Sequence, residues 1–106
     1  MATGILGQSD MVAATNTTLY TVPSNTFSVI SVNFCNRGSS TTSIRLAVAA
    51  AGTPTDAEWI EYDADVLPGG VVERTGLVVD AGKLIVCYSS NSDCTVNVYG
   101  IETSTS

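Results

Sequence analysis

Histidine is absent from this 106-residue sequence. Basic side chains are scarce, one Lys and three Arg against ten acids, for a formal net charge of −6. Without His there is no imidazole general base and no imidazole metal ligand. With so few cations, binding to nucleic acid lacks its main driving force, the displacement of counterions from phosphates. No apolar run approaches the roughly 18 residues that crossing a bilayer requires, so no membrane partner is expected. Residues 1–10 lack the basic start and long apolar stretch of a secretory signal. Cys35, Cys87 and Cys94 form no Cys-x-x-Cys pair, and no His completes a zinc set. A nucleophilic Cys would have no base. The expectations are therefore no enzymatic activity, no catalytic residue, no cofactor and no metal.

Strong helix formers are also few: four Glu, two Met, one Gln. In their place stand 12 Ser, 14 Thr, 13 Val and 6 Ile. β-Branched side chains are stiff at χ1 and suit a pleated surface. Length argues for one domain with one core.

Apolar residues and turn signals divide the chain into strands. Residues 17–22 form a first strand, stopped at Pro23-Ser24-Asn25. Residues 26–36 form the longest, with Ile30, Val32 and Phe34 on one face and Phe27, Val29 and Cys35 on the other, the pattern of a central strand. Residues 42–49 alternate, with Ile44, Leu46 and Val48 inward and Ser43, Arg45 and Ala47 outward. Residues 58–63 carry the single Trp. Residues 71–79 follow Pro68-Gly69-Gly70 and are expected to bend near Gly76. Residues 84–89 and 95–101 read as a closing hairpin. This is the pattern of an all-β protein: a single antiparallel β-sandwich of about seven or eight strands, jelly-roll or immunoglobulin-like. Residues 1–10 read as an N-terminal arm, 11–102 as the sandwich and 103–106 as a flexible polar tail.

Four constellations bear on function. Cys87 and Cys94 flank one turn. They either pair directly or, one register step away, point to opposite faces, and an odd count of Cys also fits reduced thiols. Asp56, Glu58, Glu61, Asp63 and Asp65 place half the acids within ten residues. Their spacing lacks a calcium-loop pattern and fits a charged, solvated strand edge that resists edge-to-edge pairing. Arg37, Arg45 and Arg74 are the only guanidinium groups, free to reach carboxylates of a neighbouring strand or a neighbouring subunit. Trp59 reads as a core or interface anchor. The Ile5-Leu6 pair either docks on another chain or tucks under the domain's own rim.

The order of several short motifs resembles a known group. Thr18-Leu19-Tyr20-Thr21-Val22-Pro23 is followed by Val32-Asn33-Phe34-Cys35-Asn36-Arg37, then Ser43-Ile44-Arg45-Leu46-Ala47-Val48 and Trp59-Ile60-Glu61-Tyr62-Asp63. Glu73-Arg74-Thr75-Gly76-Leu77, Asp80-Ala81-Gly82-Lys83 and Val98-Tyr99-Gly100-Ile101-Glu102 complete the series. Together, over residues 17–102, they resemble small β-sandwich virion proteins and virion-protein domains of tailed bacteriophages, cyanophages among them. The resemblance implies a structural role without an active site. The expected role is capsid decoration (cement) on the outer surface of the head, with a tail- or head-fibre adhesion or carbohydrate-binding module as the alternative. The implied partners are the major capsid protein or other virion proteins and further copies of the chain in a small cyclic oligomer such as a trimer. The implied location is the virion. The candidate partner-binding residues are Ile5, Leu6, Arg37, Arg45, Trp59 and Arg74.

Overall fold

A computed structural model describes residues 2–105. Eight strands form, β1 (Thr3–Asp10), β2 (Thr17–Thr21), β3 (Thr26–Asn36), β4 (Thr42–Ala49), β5 (Trp59–Val66), β6 (Val71–Val79), β7 (Leu84–Ser89) and β8 (Cys94–Ser104), with one 3-10 turn at Asp56–Glu58. They make two four-stranded sheets, in the orders β1-β8-β3-β6 and β2-β7-β4-β5, with every pairing antiparallel. The pairs β4·β5, β3·β6, β2·β7 and β1·β8 nest inside one another, as if one long hairpin had been rolled up. That nesting is the jelly-roll connection and distinguishes it from the immunoglobulin-like alternative.

The core follows from alternation. In β3, every even-numbered residue from Thr26 to Asn36 is buried and every odd one is partly exposed. Phe34, Ile30 and Val32 meet Ile44 and Leu46 of β4, Ile85 and Cys87 of β7, and Val96 and Val98 of β8 between the sheets. Among the described residues, every buried side-chain nitrogen and oxygen has a hydrogen-bond partner. The Asn36 amide donates to the carbonyls of Ser40 at 2.8 Å and Val66 at 2.9 Å and accepts from the Gly38 N–H at 2.9 Å, which matters because an orphaned buried amide would cost about 1–3 kcal/mol.

Three expectations change. Residues 3–10 are a strand rather than an arm: β1 pairs with β8 from Thr3↔Ile101 to Asp10↔Thr95. Residues 103 and 104 belong to β8, with Thr26 opposite Ser104, where a flexible tail was expected. Met1 of the expected arm and Ser106 of the expected tail lie outside the described residues. The closing hairpin is the third. β7 pairs with β2 and β4, whereas β8 pairs with β1 and β3, so residues 90–93 carry the chain from one sheet to the other. That crossing is pinned at both ends, by Ser90 N–H to the Ser43 carbonyl at 2.9 Å and Arg37 N–H to the Asp93 carbonyl at 2.7 Å.

Register breaks fall in a consistent place. The two pairings between central strands, β3·β8 and β4·β7, run without a shift. Each of the four edge strands carries an extra residue: one in β1 between Ile5 and Gly7, one in β2 between Thr18 and Tyr20, one in β6 and two in β5. In β6 the bulge falls at Thr75 and Gly76, opposite Ser31, and Gly76 takes the left-handed conformation (φ +70°) there. The bend expected near Gly76 is this bulge. Bulges twist an edge away from a straight ladder and discourage another strand from adding to it.

Candidate functional site

The outer face of the second sheet is built by the bulges in β5. Ile44 pairs with Ala64 and Leu46 with Glu61, so Tyr62 and Asp63 together oppose Arg45. Asp63 accommodates the extra residue in the left-handed region, at φ +54°. In a regular strand, neighbours such as Tyr62 and Asp63 point to opposite faces. Here both reach one guanidinium. Arg45 Nε donates to Asp63 Oδ1 at 2.6 Å and Nη2 to Oδ2 at 3.4 Å. The same guanidinium carbon lies 4.2 Å from the Tyr62 ring centroid and 4.3 Å from that of Tyr88, which pairs with Arg45 from β7. Arg45 is thus held by two rings and a carboxylate. The hydrogen bonds to Asp63, together with its charge, raise the pKa of Arg45 further above its ordinary value.

Trp59 extends the cluster. Its ring meets Tyr62 edge-on, with centroids 5.3 Å apart and planes at 75°. It also packs on Ala47, Ala49 and Val86, which are fully buried although they belong to the outer face. Leu84 packs on the same small core, and the loop before Trp59 closes on itself. Residues 50–58 fold back, with the Glu58 carboxylate accepting the N–H groups of Ala50 at 2.9 Å and Thr55 at 2.8 Å. Those hydrogen bonds lower the pKa of Glu58. Trp59 is half-buried on this small core, while Tyr62 stays 57% exposed beside it.

The remaining candidates are placed elsewhere. Ile5 points outward on the first sheet and is exposed, whereas Leu6, the extra residue of the β1 bulge, turns inward onto the core. The Ile5-Leu6 pair thus divides between the two readings. Arg37 donates to Asp10 at 2.5 Å and to the Ser92 carbonyl at 3.3 Å, tying the end of β1 to two loops. Arg74 reaches Glu61 at 3.2 Å. Because β6 and β5 are the edges of opposite sheets, this pair bridges the open side of the sandwich. All three arginines thus find carboxylates within the chain. The structure brings together only Arg45 and Trp59 of the six candidates. Tyr62, Asp63 and Tyr88 complete the cluster, the first two through the β5 bulge and Tyr88 through the regular β4·β7 pairing.

The acidic stretch lies along the edge strand β5 and the turn before it. Asp63, Glu61 and Glu58 turn to Arg45, Arg74 and the loop amides respectively, and among the described residues no group of three or more Cys, Asp or Glu gathers as a metal site. Cys87 and Cys94 are buried free thiols on different sheets and Cys35 a half-buried one; burial pushes the first two up in pKa. Among the described residues the surface opens into no pocket.

A second polar network closes the other side of the sandwich. The Tyr20 hydroxyl donates to Glu102 at 2.5 Å and lies 2.6 Å from Ser28 Oγ, and Glu102 also accepts the Ala2 N–H at 2.9 Å. Burial, then the Glu102 carboxylate, push Tyr20 up to about 12, and the same hydrogen bonds lower Glu102.

Comparison with protein-family models, with curated proteins and with solved structures finds no match to this chain.

Proposed function

We propose that this chain is a structural protein of a phage virion that decorates the outer surface of the head, gripping the shell through the outer face of its second sheet. The observation that carries the reading is the Arg45 cluster: a guanidinium clamped between Tyr62 and Tyr88, with Trp59 beside it, on a face without a pocket. Arg, Tyr and Trp are the residues that dominate macromolecular interfaces. Their preorganisation here lowers the entropy lost on docking. The motif order in residues 17–102 supplies the virion context. The jelly roll is in keeping with it only by analogy, since that fold hosts many functions.

The test is binding of the purified chain to assembled heads from which it has been omitted. Saturable, stoichiometric binding is expected, weakened roughly 100-fold in Arg45→Ala, as for truncation of a central interface residue. Absence of the chain from purified particles by mass spectrometry, or equal binding by the variant, refutes the reading. One observation favours the alternative of a carbohydrate-binding fibre module: the Tyr62 ring is largely open to solvent next to Trp59. Glycan-array binding that is lost in Tyr62→Ala would establish that alternative.

A further inference from the structure

We infer that the outer face of the first sheet is a self-association surface, on which two copies of this chain pack face to face about a two-fold axis. The inference rests on the decoration reading only in leaving the second sheet's outer face free for the shell.

The register assigns the face. One row runs Thr3–Ile101–Val29–Val78 across all four strands, and the next runs Ile5–Tyr99–Ser31 across three. Phe27 lies beside them, opposite Thr103. Four of the chain's large exposed apolar residues stand on this one face: Val78 at 71%, Ile5 at 57%, Val71 at 55% and Ile101 at 47% exposed.

Three observations select a second copy as the occupant. The first is charge. Among the residues paired in this sheet, Asp10 and Glu73 are the carboxylates that stand on this face, and Asp80, just past the end of β6 at its rim, is paired with Lys83. Asp10 is paired with Arg37, and Glu73 accepts the Tyr99 hydroxyl. The clustered acids from Asp56 to Asp65 lie on and beside β5, at the edge of the opposite sheet. Two chains of net charge −6 can therefore meet here with their acidic sides turned apart. The second is area. Four strands about 4.8 Å apart, each roughly ten residues long at about 3.4 Å per residue, give a footprint of roughly 650 Å². Two such faces bury about 1,300 Å², above the roughly 1,000 Å² that a specific interface needs. The third is the edges. With an extra residue in every edge strand, edge-to-edge sheet extension is disfavoured and face packing remains. An isologous two-fold contact needs only that one patch match itself.

The experiment is sedimentation equilibrium of the purified full chain over a dilution series. A species of twice the 11.0 kDa chain mass is expected. Val78→Glu and Ile101→Glu each place unpaired charge in the contact and are expected to raise the dimer Kd about 100-fold or more. Both side chains are solvent-facing in the single chain, so circular dichroism is expected to report an unchanged fold. A measurement on the unsubstituted chain guards against misfolding: a soluble paramagnetic probe is expected to spare Val29, Tyr99 and Ile101 at high concentration and reach them on dilution. A monomer at every concentration overturns the inference, as does an oligomer indifferent to both substitutions. The two proposals fail separately. A dimer that binds no heads refutes decoration alone, and a monomer that binds them refutes the self-association face alone.

Discussion

Replacing Arg45 tests whether the bulge in β5 builds a rigid cluster or merely gathers side chains. Arg45 makes three separable contacts. The side chains of Arg45 and Asp63 are 25% and 49% exposed, so their ion pair belongs in the surface range, about 0.2–1 kcal/mol. Each ring contact, at 4.2 and 4.3 Å, adds about 0.5–1 kcal/mol at a partly exposed site. Neighbouring contacts are not additive, so Arg45→Ala is expected to cost about 2 kcal/mol. Arg45→Lys separates the parts. Lys keeps the charge opposite Asp63 but lacks the planar fork that stacks on rings and donates twice, so it should recover less than half of the loss. Urea denaturation at neutral pH measures both, and for a domain of this size 1 kcal/mol corresponds to about 4–8 °C in Tm. If Arg45→Lys is as stable as the parent, the stacking carries no stability and the cluster is not preorganised. If a double-mutant cycle between Arg45→Ala and Tyr62→Ala shows no coupling, the cation–ring contact contributes nothing.

Other perturbations have equally definite outcomes. Glu102 is lowered in the folded chain, so its contribution is present above the ordinary carboxylate pKa of about 4.3 and lost as pH falls through the folded value. Acid titration should therefore weaken the parent below about pH 4 more steeply than Glu102→Gln. Tyr20 is raised to about 12, so its contribution is lost as pH rises from about 10 towards that value, and Tyr20→Phe should flatten that limb of the stability profile. Gly7→Ala would bring a Cβ to 2.3 Å from the Leu19 carbonyl oxygen, forcing β1 away from β2. Faster hydrogen exchange at the β1 amides is the expected readout. At Gly76 a Cβ meets open space, so Gly76→Ala should cost only the backbone strain of a left-handed residue, about 1–2 kcal/mol by urea denaturation.

Why some elements were legible and others were not comes down to how far apart their causes lie in the chain. β3 and β4 run from the first to the last residue their alternation indicates, because an inward face repeats at every second position, while β6, which is bulged, and β7, which is buried on both faces, are bounded by the turn signals on either side. β1 has no such repeat. Gly4 and Gly7 interrupt it, most of its residues stay exposed, and it is a strand only because the β8 edge supplies its hydrogen bonds. The pairing of β7 and β8 misled for a related reason. A short polar link between apolar strands suits a hairpin and a crossing between sheets equally well. The choice was made by remote partners, Ser43 for Ser90 and Arg37 for Asp93. Among the candidate residues, Arg45 and Trp59 could be singled out by their chemistry. Tyr62 and Tyr88 could be grouped with Trp59 as aromatics, but their meeting with Arg45 and Asp63 could not be read, since strict alternation sends Tyr62 and Asp63 to opposite faces and the β4·β7 pairing that brings Tyr88 opposite Arg45 is not local.

Composition and local pattern determined that this chain is an all-β sandwich and that catalysis through histidine is closed to it. Both follow from residue types and their period of two, which no packing can alter. The tertiary structure decided the nesting of the strands, the extra residue in each edge and the meeting of Arg45 with two rings and a carboxylate. Those depend on contacts between residues distant in the chain, where one inserted residue on an edge strand turns a side chain to the other face.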